Sequence, residues 1–218
     1  MLSTERFRTE NMDAAALAEF YASGRHDVDL VLQRSIRFLG EWSTPARALD
    51  FGCGVGRLTY AMAAHAGEVV GYDVSPAMLN KAEARNEGSV TFTSAWPDGD
   101  FDWINSFIVF QHIAPERGLT LLNQLLRSLR PGGLVSLHFT IYRDAHLVPE
   151  RSVRAATIQA LRRWLGRPTG PPPGSVTMYD YDLGKVAEAL IRAGVDESAM
   201  FHADHGGHHG VQIIGRRR

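Results

Sequence analysis

The sequence predicts an α/β protein: a seven-stranded sheet, mostly parallel with the last strand antiparallel, and helices on both faces. Three observations carry this. From Ala46 onward, short apolar runs alternate with helical patterns, which is the rhythm of strand–crossover–strand units. Residues 101–109 are almost continuously apolar, as a strand covered on both faces should be. Near the end, strand-like runs at 198–205 and 211–216 are joined only by Gly206-Gly207-His208-His209-Gly210. That link is too short for a crossover, so the pair must be an antiparallel hairpin.

In chain order, two helical patterns come first, at 13–22 and 27–42, separated at Ser23-Gly24. A strand at 46–51 runs through a glycine loop into a helix at 57–66. A second strand at 68–72 ends on Asp73. Ser75 and Pro76 then open a helix to about Asn86, with Ser75 as the expected N-cap and Pro76 at the first helical position. Strands follow at 90–93 and 101–109. A helix at 115–129 is closed by Pro131-Gly132-Gly133, and a fifth strand spans 134–140. Residues 143–179 interrupt the alternation with an arginine-rich helical stretch and a Gly/Pro segment, the composition of a lid or substrate wall. A helix at 183–193 precedes the hairpin. Three units result: an N-terminal helical cap (1–45), a main domain (46–142 and 180–218), and an inserted lid (143–179).

Composition narrows the function classes. Among 218 residues, 44% are hydrophobic and 22% charged, enough for one closed core. The net charge of -1, without blocks of like charge, argues against nucleic acid or an anionic membrane as partner. The two lysines, Lys81 and Lys185, fall in surface helices, which disfavours Schiff-base chemistry. A single cysteine, no leader-like apolar segment and no long apolar run lead us to expect a soluble, unsecreted, cytoplasmic protein.

The chemistry-bearing feature is the loop Asp50-Phe51-Gly52-Cys53-Gly54-Val55-Gly56-Arg57 between a strand and a helix. Glycines there let the backbone turn sharply and approach a ligand without a Cβ clash. Asp73, at the tip of the next strand, could accept both hydroxyls of a ribose. A tight turn without ligand, a dinucleotide site and an S-adenosylmethionine site are all readings of such a loop. The dinucleotide fingerprint is G-x-G-x-x-G, whereas the spacing here is G-x-G-x-G.

Residues 48–56, Ala-Leu-Asp-Phe-Gly-Cys-Gly-Val-Gly, resemble motif I of the class I S-adenosylmethionine-dependent methyltransferases, a family with a Rossmann-like fold. Val-Val-Gly-Tyr-Asp-Val-Ser-Pro-Ala-Met-Leu around Asp73 resembles the next motif. Leu-Arg-Ser-Leu-Arg-Pro-Gly-Gly-Leu at 126–134 resembles the turn before the fifth strand, and the terminal hairpin resembles the family's reversed seventh strand. The resemblance implies S-adenosyl-L-methionine as cofactor and S-adenosyl-L-homocysteine as product. It places Gly52, Cys53, Gly54 and Gly56 against the methionine and ribose parts, with Asp50 orienting the loop. Asp73 would hold the ribose, and Val74 and Met78 would border the adenine. Ser94 stands where the family often has an acidic residue, followed by Ala95 and by Trp96, which either covers the base or packs on the sheet edge. Cys53 is read as a small packing residue, not a nucleophile. Helices before the first strand commonly close over the cofactor in this family, so Arg25 is a candidate partner for the cofactor carboxylate, or a surface arginine.

The acceptor is expected to be a small molecule with an oxygen, nitrogen or carbon nucleophile. Methylation of a protein or peptide, or cofactor binding without transfer, are the alternatives. Candidates for positioning the acceptor or removing its proton lie at the carboxyl ends of the strands: His112, Tyr142, Arg143 and His209. His138, inside the fifth strand, reads as a core residue. Four of nine histidines, His202, His205, His208 and His209, crowd the last 17 residues. They read as turn residues, as an acceptor-site base or as metal ligands; no metal site is expected. If the sixth strand runs with the sheet, His205, His208 and His209 should face the acceptor together.

Overall fold

The computed structural model describes residues 13–40, 43–85, 89–147 and 177–218. Seven strands form one sheet: β1 (Arg47–Phe51), β2 (Glu68–Tyr72), β3 (Val90–Thr93), β4 (Phe101–Ser106), β5 (Leu129–Arg143), β6 (Glu197–Asp204) and β7 (His208–Arg216). Their order is β3-β2-β1-β4-β5-β7-β6. β1 to β5 pair in parallel, while β7 is antiparallel to both β5 and β6. β6 therefore points with the parallel strands, and the hairpin tip emerges at their carboxyl ends. The strand order reverses between β1 and β4, and such a crevice is where α/β sheets bind ligands.

Among the described residues five α-helices cover the sheet: α1 (Ala14–Leu39), α2 (Arg57–Met62), α3 (Pro76–Glu83), α4 (Pro115–Arg127) and α5 (Leu183–Arg192). Val28, Val31, Leu32 and Leu39 of α1 pack with Leu58 and Met62 of α2 on one sheet face, over Trp103 and Ile214. On the other face Leu122, Leu125 and Leu126 of α4 and Val186, Ala189 and Leu190 of α5 pack over Ile104, Leu137, Phe139 and Ile213. Both faces of β4 and β5 are thus closed, which explains their apolar runs.

Four sequence expectations are corrected. The two N-terminal helices are one: α1 runs unbroken through Ser23-Gly24. Ser23 Oγ donates to the Phe20 carbonyl at 2.6 Å, and Gly24 lies against the Arg57 carbonyl, where a Cβ would collide. The glycine serves close approach of α1 to α2 rather than a break. Second, α4 ends at Arg127 and β5 begins at Leu129, before the Pro-Gly-Gly turn. Gly132 N donates to Arg217 O at 2.8 Å and Arg217 N to Gly133 O at 2.9 Å, so the end of the chain holds this stretch to the sheet. Third, Ser75 is the N-cap residue and Pro76 opens the helix as expected, but the Ser75 side chain makes no cap bond; the preceding Asp73 carboxylate takes the Ser75 amide at 2.8 Å. Fourth, His208 and His209 are strand residues, paired with Arg143 and Tyr142, because Gly206 and Gly207 complete the turn alone at positive φ. The arginine-rich helix expected within the insertion lies outside the described residues.

Candidate active site

The glycine loop owes its shape to three residues in left-handed backbone, Gly52 (φ 78°), Gly54 (φ 54°) and Gly56 (φ 80°). They are not equivalent. A Cβ on Gly52 would strike the Val109 side chain, and one on Gly56 would lie 2.9 Å from the Tyr60 ring. One on Gly54 would meet nothing within 4 Å. Gly52 and Gly56 are therefore glycine because of the protein around them. Gly54 faces open space, as a surface shaped for a ligand would.

Two carboxylates fix the loop. Asp50 is 2% exposed; it accepts Thr59 Oγ1 of α2 at 2.7 Å and Asn105 Nδ2 of β4 at 2.9 Å. Asn105 Oδ1 accepts Ser136 Oγ at 2.7 Å, and Ser136 Oγ accepts Trp103 Nε1 at 2.9 Å. A buried polar chain thus crosses β4 and β5 and ends beneath the loop. Burial pushes the Asp50 pKa up, against the pull of its two donors and Arg57. Asp73 lies above. Its Oδ2 accepts the Gly54 amide at 2.9 Å, while Tyr72 O accepts the Gly52 and Cys53 amides at 2.7 and 3.0 Å. Each carboxylate oxygen has two lone pairs, so Asp73 keeps acceptor capacity for a hydroxyl pair. Beside it Val74 is 73% and Met78 38% exposed, an apolar surface next to a carboxylate. Ser94 and Ala95 are exposed at the end of β3. Trp96 is half-buried, packed on Phe51 and Tyr72 with ring centroids 6.0 and 5.6 Å away. Cys53 is buried; burial, then Asp50 and Asp73, push its thiol well above the ordinary range, so it is no ready nucleophile.

α1 closes on the loop from one side. Tyr21 Oη donates to Val55 O at 3.2 Å, and Arg57 Nη1 pairs with Asp27 Oδ2 at 2.6 Å. Arg25 sits exposed on α1. The arginine that joins α1 to the loop is Arg57, the residue directly after Gly56. The Arg85 guanidinium lies 3.8 Å over the Tyr21 ring. Ile108, just past β4, has φ 60°, a costly conformation for a β-branched residue. It stands between Phe107 and Val109, the residue against Gly52. Nothing in the sequence announces that strain, nor the contact of Tyr21 with the loop; Arg57 is legible as the residue that ends it.

The histidines divide between the two faces of the sheet. His209 Nε2 lies 3.1 Å from Asp144 Oδ1, and its ring stacks on Tyr142 at 4.4 Å and on His202 at 5.6 Å. On the α1 face, the ring of His138 is 5.0 Å from that of His205 and 5.3 Å from Phe107. The expectation that His205, His208 and His209 face one place is therefore corrected: neighbours along β7 point to opposite faces. His112 ends the short turn Phe110–His112, with Gln111 Nε2 3.3 Å from its Nε2. Burial lowers its pKa, and His208 adds to this against a Thr177 backbone hydrogen bond. Arg143 forms a two-pronged pair with Asp180, both contacts 2.9 Å, and so clamps the two ends of the insertion. Among the described residues, no three His, Cys, Asp or Glu side chains are placed to hold a metal ion. A cavity of about 460 Å³ lies at the opposite end of the sheet, lined by Pro45, Asp102, Gly133 and Arg216 among others. It shares no residue with the glycine loop, and the carboxyl-end geometry outweighs it as a site.

Residues 48–133, spanning the loop, Asp73 and the turn into β5, match the family model described as a methyltransferase domain. Over that stretch the chain is similar to methyltransferase domains. Its reversed β7 and strand order fit that fold. Among curated proteins, a trans-aconitate 2-methyltransferase of Methylobacterium radiotolerans is 37% identical over 99 residues, 43% of this chain and 37% of that protein. Matches to curated relatives span only 37% to 58% of those proteins' lengths. Among solved structures, a magnesium protoporphyrin IX methyltransferase from Synechocystis is 18% identical with a TM-score of 0.63, covering 99% of this chain and 92% of that one. An amino pentose methyltransferase from Micromonospora echinaspora is 16% identical with a TM-score of 0.62, covering 95% and 98%. At these identities the structures speak for the fold alone. No helix among the described residues is long and apolar enough to cross a membrane.

Proposed function

We propose that this chain is an enzyme that transfers a methyl group from S-adenosylmethionine to a small-molecule nucleophile, leaving S-adenosylhomocysteine. The observation that carries this reading is the left-handed Gly54, half-buried but with open space where a Cβ would point, and tied by its amide to the Asp73 carboxylate. A nucleoside with a charged amino-acid arm fits the surroundings: a carboxylate for the ribose, the apolar pair Val74 and Met78 for the base, and a glycine surface for the arm. When bound there, the sulfonium supplies an already activated methyl group.

The residues then have distinct tasks. Asp50 holds β1, α2 and β4 together beneath the loop, so Gly52, Gly54 and Gly56 keep their shape. Asp73 accepts the ribose hydroxyls. Ser94, Ala95 and Trp96 rim the base, with Trp96 braced on Phe51 and Tyr72. α1 covers the arm, with Arg25 a candidate partner for its carboxylate. His112, Tyr142 and His209, at the carboxyl ends of β4, β5 and the start of β7, orient the acceptor or take its proton. Residues 1–45 act as the cap, 46–142 and 180–218 as the cofactor domain, and 143–179 as the acceptor lid. A small-molecule acceptor suits the near-neutral charge, and a cytoplasmic location suits the single reduced cysteine.

The test is transfer itself. Purified protein, given methyl-labelled S-adenosylmethionine and a library of small hydroxyl, amine and carboxylate compounds, should yield labelled small-molecule product by mass spectrometry. Label appearing only in protein or peptide, or in nothing at all, would reject this reading.

A further inference from the structure

On the α1 face of the sheet, at the carboxyl end, buried imidazole nitrogens have no partner. His138 is 1% exposed, yet neither of its ring nitrogens makes a hydrogen bond. His205 Nε2 and His208 Nδ1 are likewise buried and unpaired. Buried polar atoms are normally satisfied, so several orphans in one place ask for a missing partner. The rings of Phe107, His138 and His205 lie 5.0 to 5.7 Å apart and form one wall. That wall adjoins the cofactor loop: the Arg57 guanidinium lies 5.7 Å over the Phe107 ring. His208 is near enough to act on the charge of both His205 and His112.

The chemistry of the wall selects its ligand. A neutral imidazole offers one donor and one acceptor nitrogen. Two such rings match a hydroxyl, which donates once and accepts twice. A carboxylate would need a cation, and the nearby cation, Arg57, is already paired with Asp27 at 2.6 Å. Burial lowers the pKa of both His138 and His205, which keeps them uncharged at neutral pH; Asp27 and Asp204 oppose this at His205, while His208 and Arg57 reinforce it.

We propose that His138 and His205, with Phe107 as apolar wall, form the subsite for the acceptor, and that the acceptor is a hydroxyl-bearing aromatic or alicyclic molecule. This rests on the methyl-transfer reading above. His138 donates to the hydroxyl oxygen and His205 Nε2 accepts its proton. As the new O–CH3 bond forms, the CH3–S bond breaks and its electron pair stays on sulfur. The hydroxyl proton passes to His205, which releases it to solvent, so that His112, Tyr142 and His209 are left with orienting the acceptor and not with taking its proton.

The test uses the whole chain saturated with S-adenosylhomocysteine, with 2-naphthol and 2-naphthoate as probes. Nitrogen-15 NMR should show the imidazole signals of His138 and His205 moving on addition of 2-naphthol and not of 2-naphthoate. Calorimetry should show 2-naphthol binding weakened at least tenfold in His138→Leu, with S-adenosylhomocysteine binding kept. His205→Gln, which retains a hydrogen-bond acceptor but takes no proton, should keep 2-naphthol within a few-fold while losing methyl transfer to it. The proposal is overturned if 2-naphthol leaves both signals unmoved, if 2-naphthoate binds as well or better, or if His205→Gln transfers normally. A wild-type chain that fails to bind S-adenosylhomocysteine at all would instead remove the methyl-transfer reading.

Discussion

Asp73 Oδ2 accepts the Gly54 amide at 2.9 Å, so the residue that ends β2 holds the middle of the glycine loop that follows β1. The pairing joins two motifs that lie 19 residues apart, so one carboxylate both shapes the loop and is the group proposed to hold the ribose. Asp73→Ala should therefore lose S-adenosylhomocysteine affinity by roughly 10- to 100-fold, the size of a lost charge-assisted hydrogen bond. The residue is only half-buried, so the thermal midpoint should fall little. Calorimetry and a melting curve on one preparation check both.

Gly52→Ala and Gly54→Ala should separate folding from binding. Both place alanine at positive φ, costing about 1–2 kcal/mol. At Gly52 the new methyl also meets Val109, so the larger loss should be in stability. At Gly54 it meets nothing within 4 Å and projects into the proposed cofactor space, so the larger loss should be in cofactor affinity. Equal effects of the two variants on both quantities would contradict the assignment.

Gly24→Ala reverses a propensity rule. In a helix interior alanine is favoured over glycine by about 1 kcal/mol. Here the added Cβ collides with the Arg57 carbonyl, so urea unfolding should show a destabilisation of about 1–3 kcal/mol as α1 is pushed off the loop. A stabilised variant would mean that α1 does not pack as described.

His138 gives the fold a pH dependence of known sign. Its pKa falls from 6.5 to about 3, chiefly through burial and secondarily through His205. The unfolded chain then takes up a proton that the folded chain refuses, so this contribution is complete above the unfolded value. It is lost as pH falls from about 6.5 towards 3. Between pH 7 and 5 the wild type should lose about 2 kcal/mol more than His138→Leu. Urea midpoints of the two proteins at both pH values measure the difference.

The sheet and the glycine loop are legible because their signals are local. Glycines at 52, 54 and 56, the aspartate ending the second strand, and a link too short for a crossover each point to one structure. What escaped depended on distant partners. Gly24 read as a helix break because its neighbour across space, the Arg57 carbonyl, is 33 positions away. The start of β5 was hidden because its first residues are held by Arg217, at the far end of the chain. The terminal histidines read as one cluster, since crowding in sequence says nothing of face. A two-residue glycine turn sends His205 to the α1 side, beside His138, and His209 to the other, beside Tyr142. The positive φ of Ile108 follows from the turn after β4 and has no glycine or asparagine to mark it.

Isothermal titration of the purified chain with S-adenosylhomocysteine, and with NAD under the same conditions, tests the central claim most directly. One-to-one binding of S-adenosylhomocysteine, no binding of NAD, and a roughly 10- to 100-fold weakening of the former in Asp73→Ala are the expected results. Binding of NAD in preference, or binding of S-adenosylhomocysteine that Asp73→Ala leaves unchanged, would contradict the assignment of this loop.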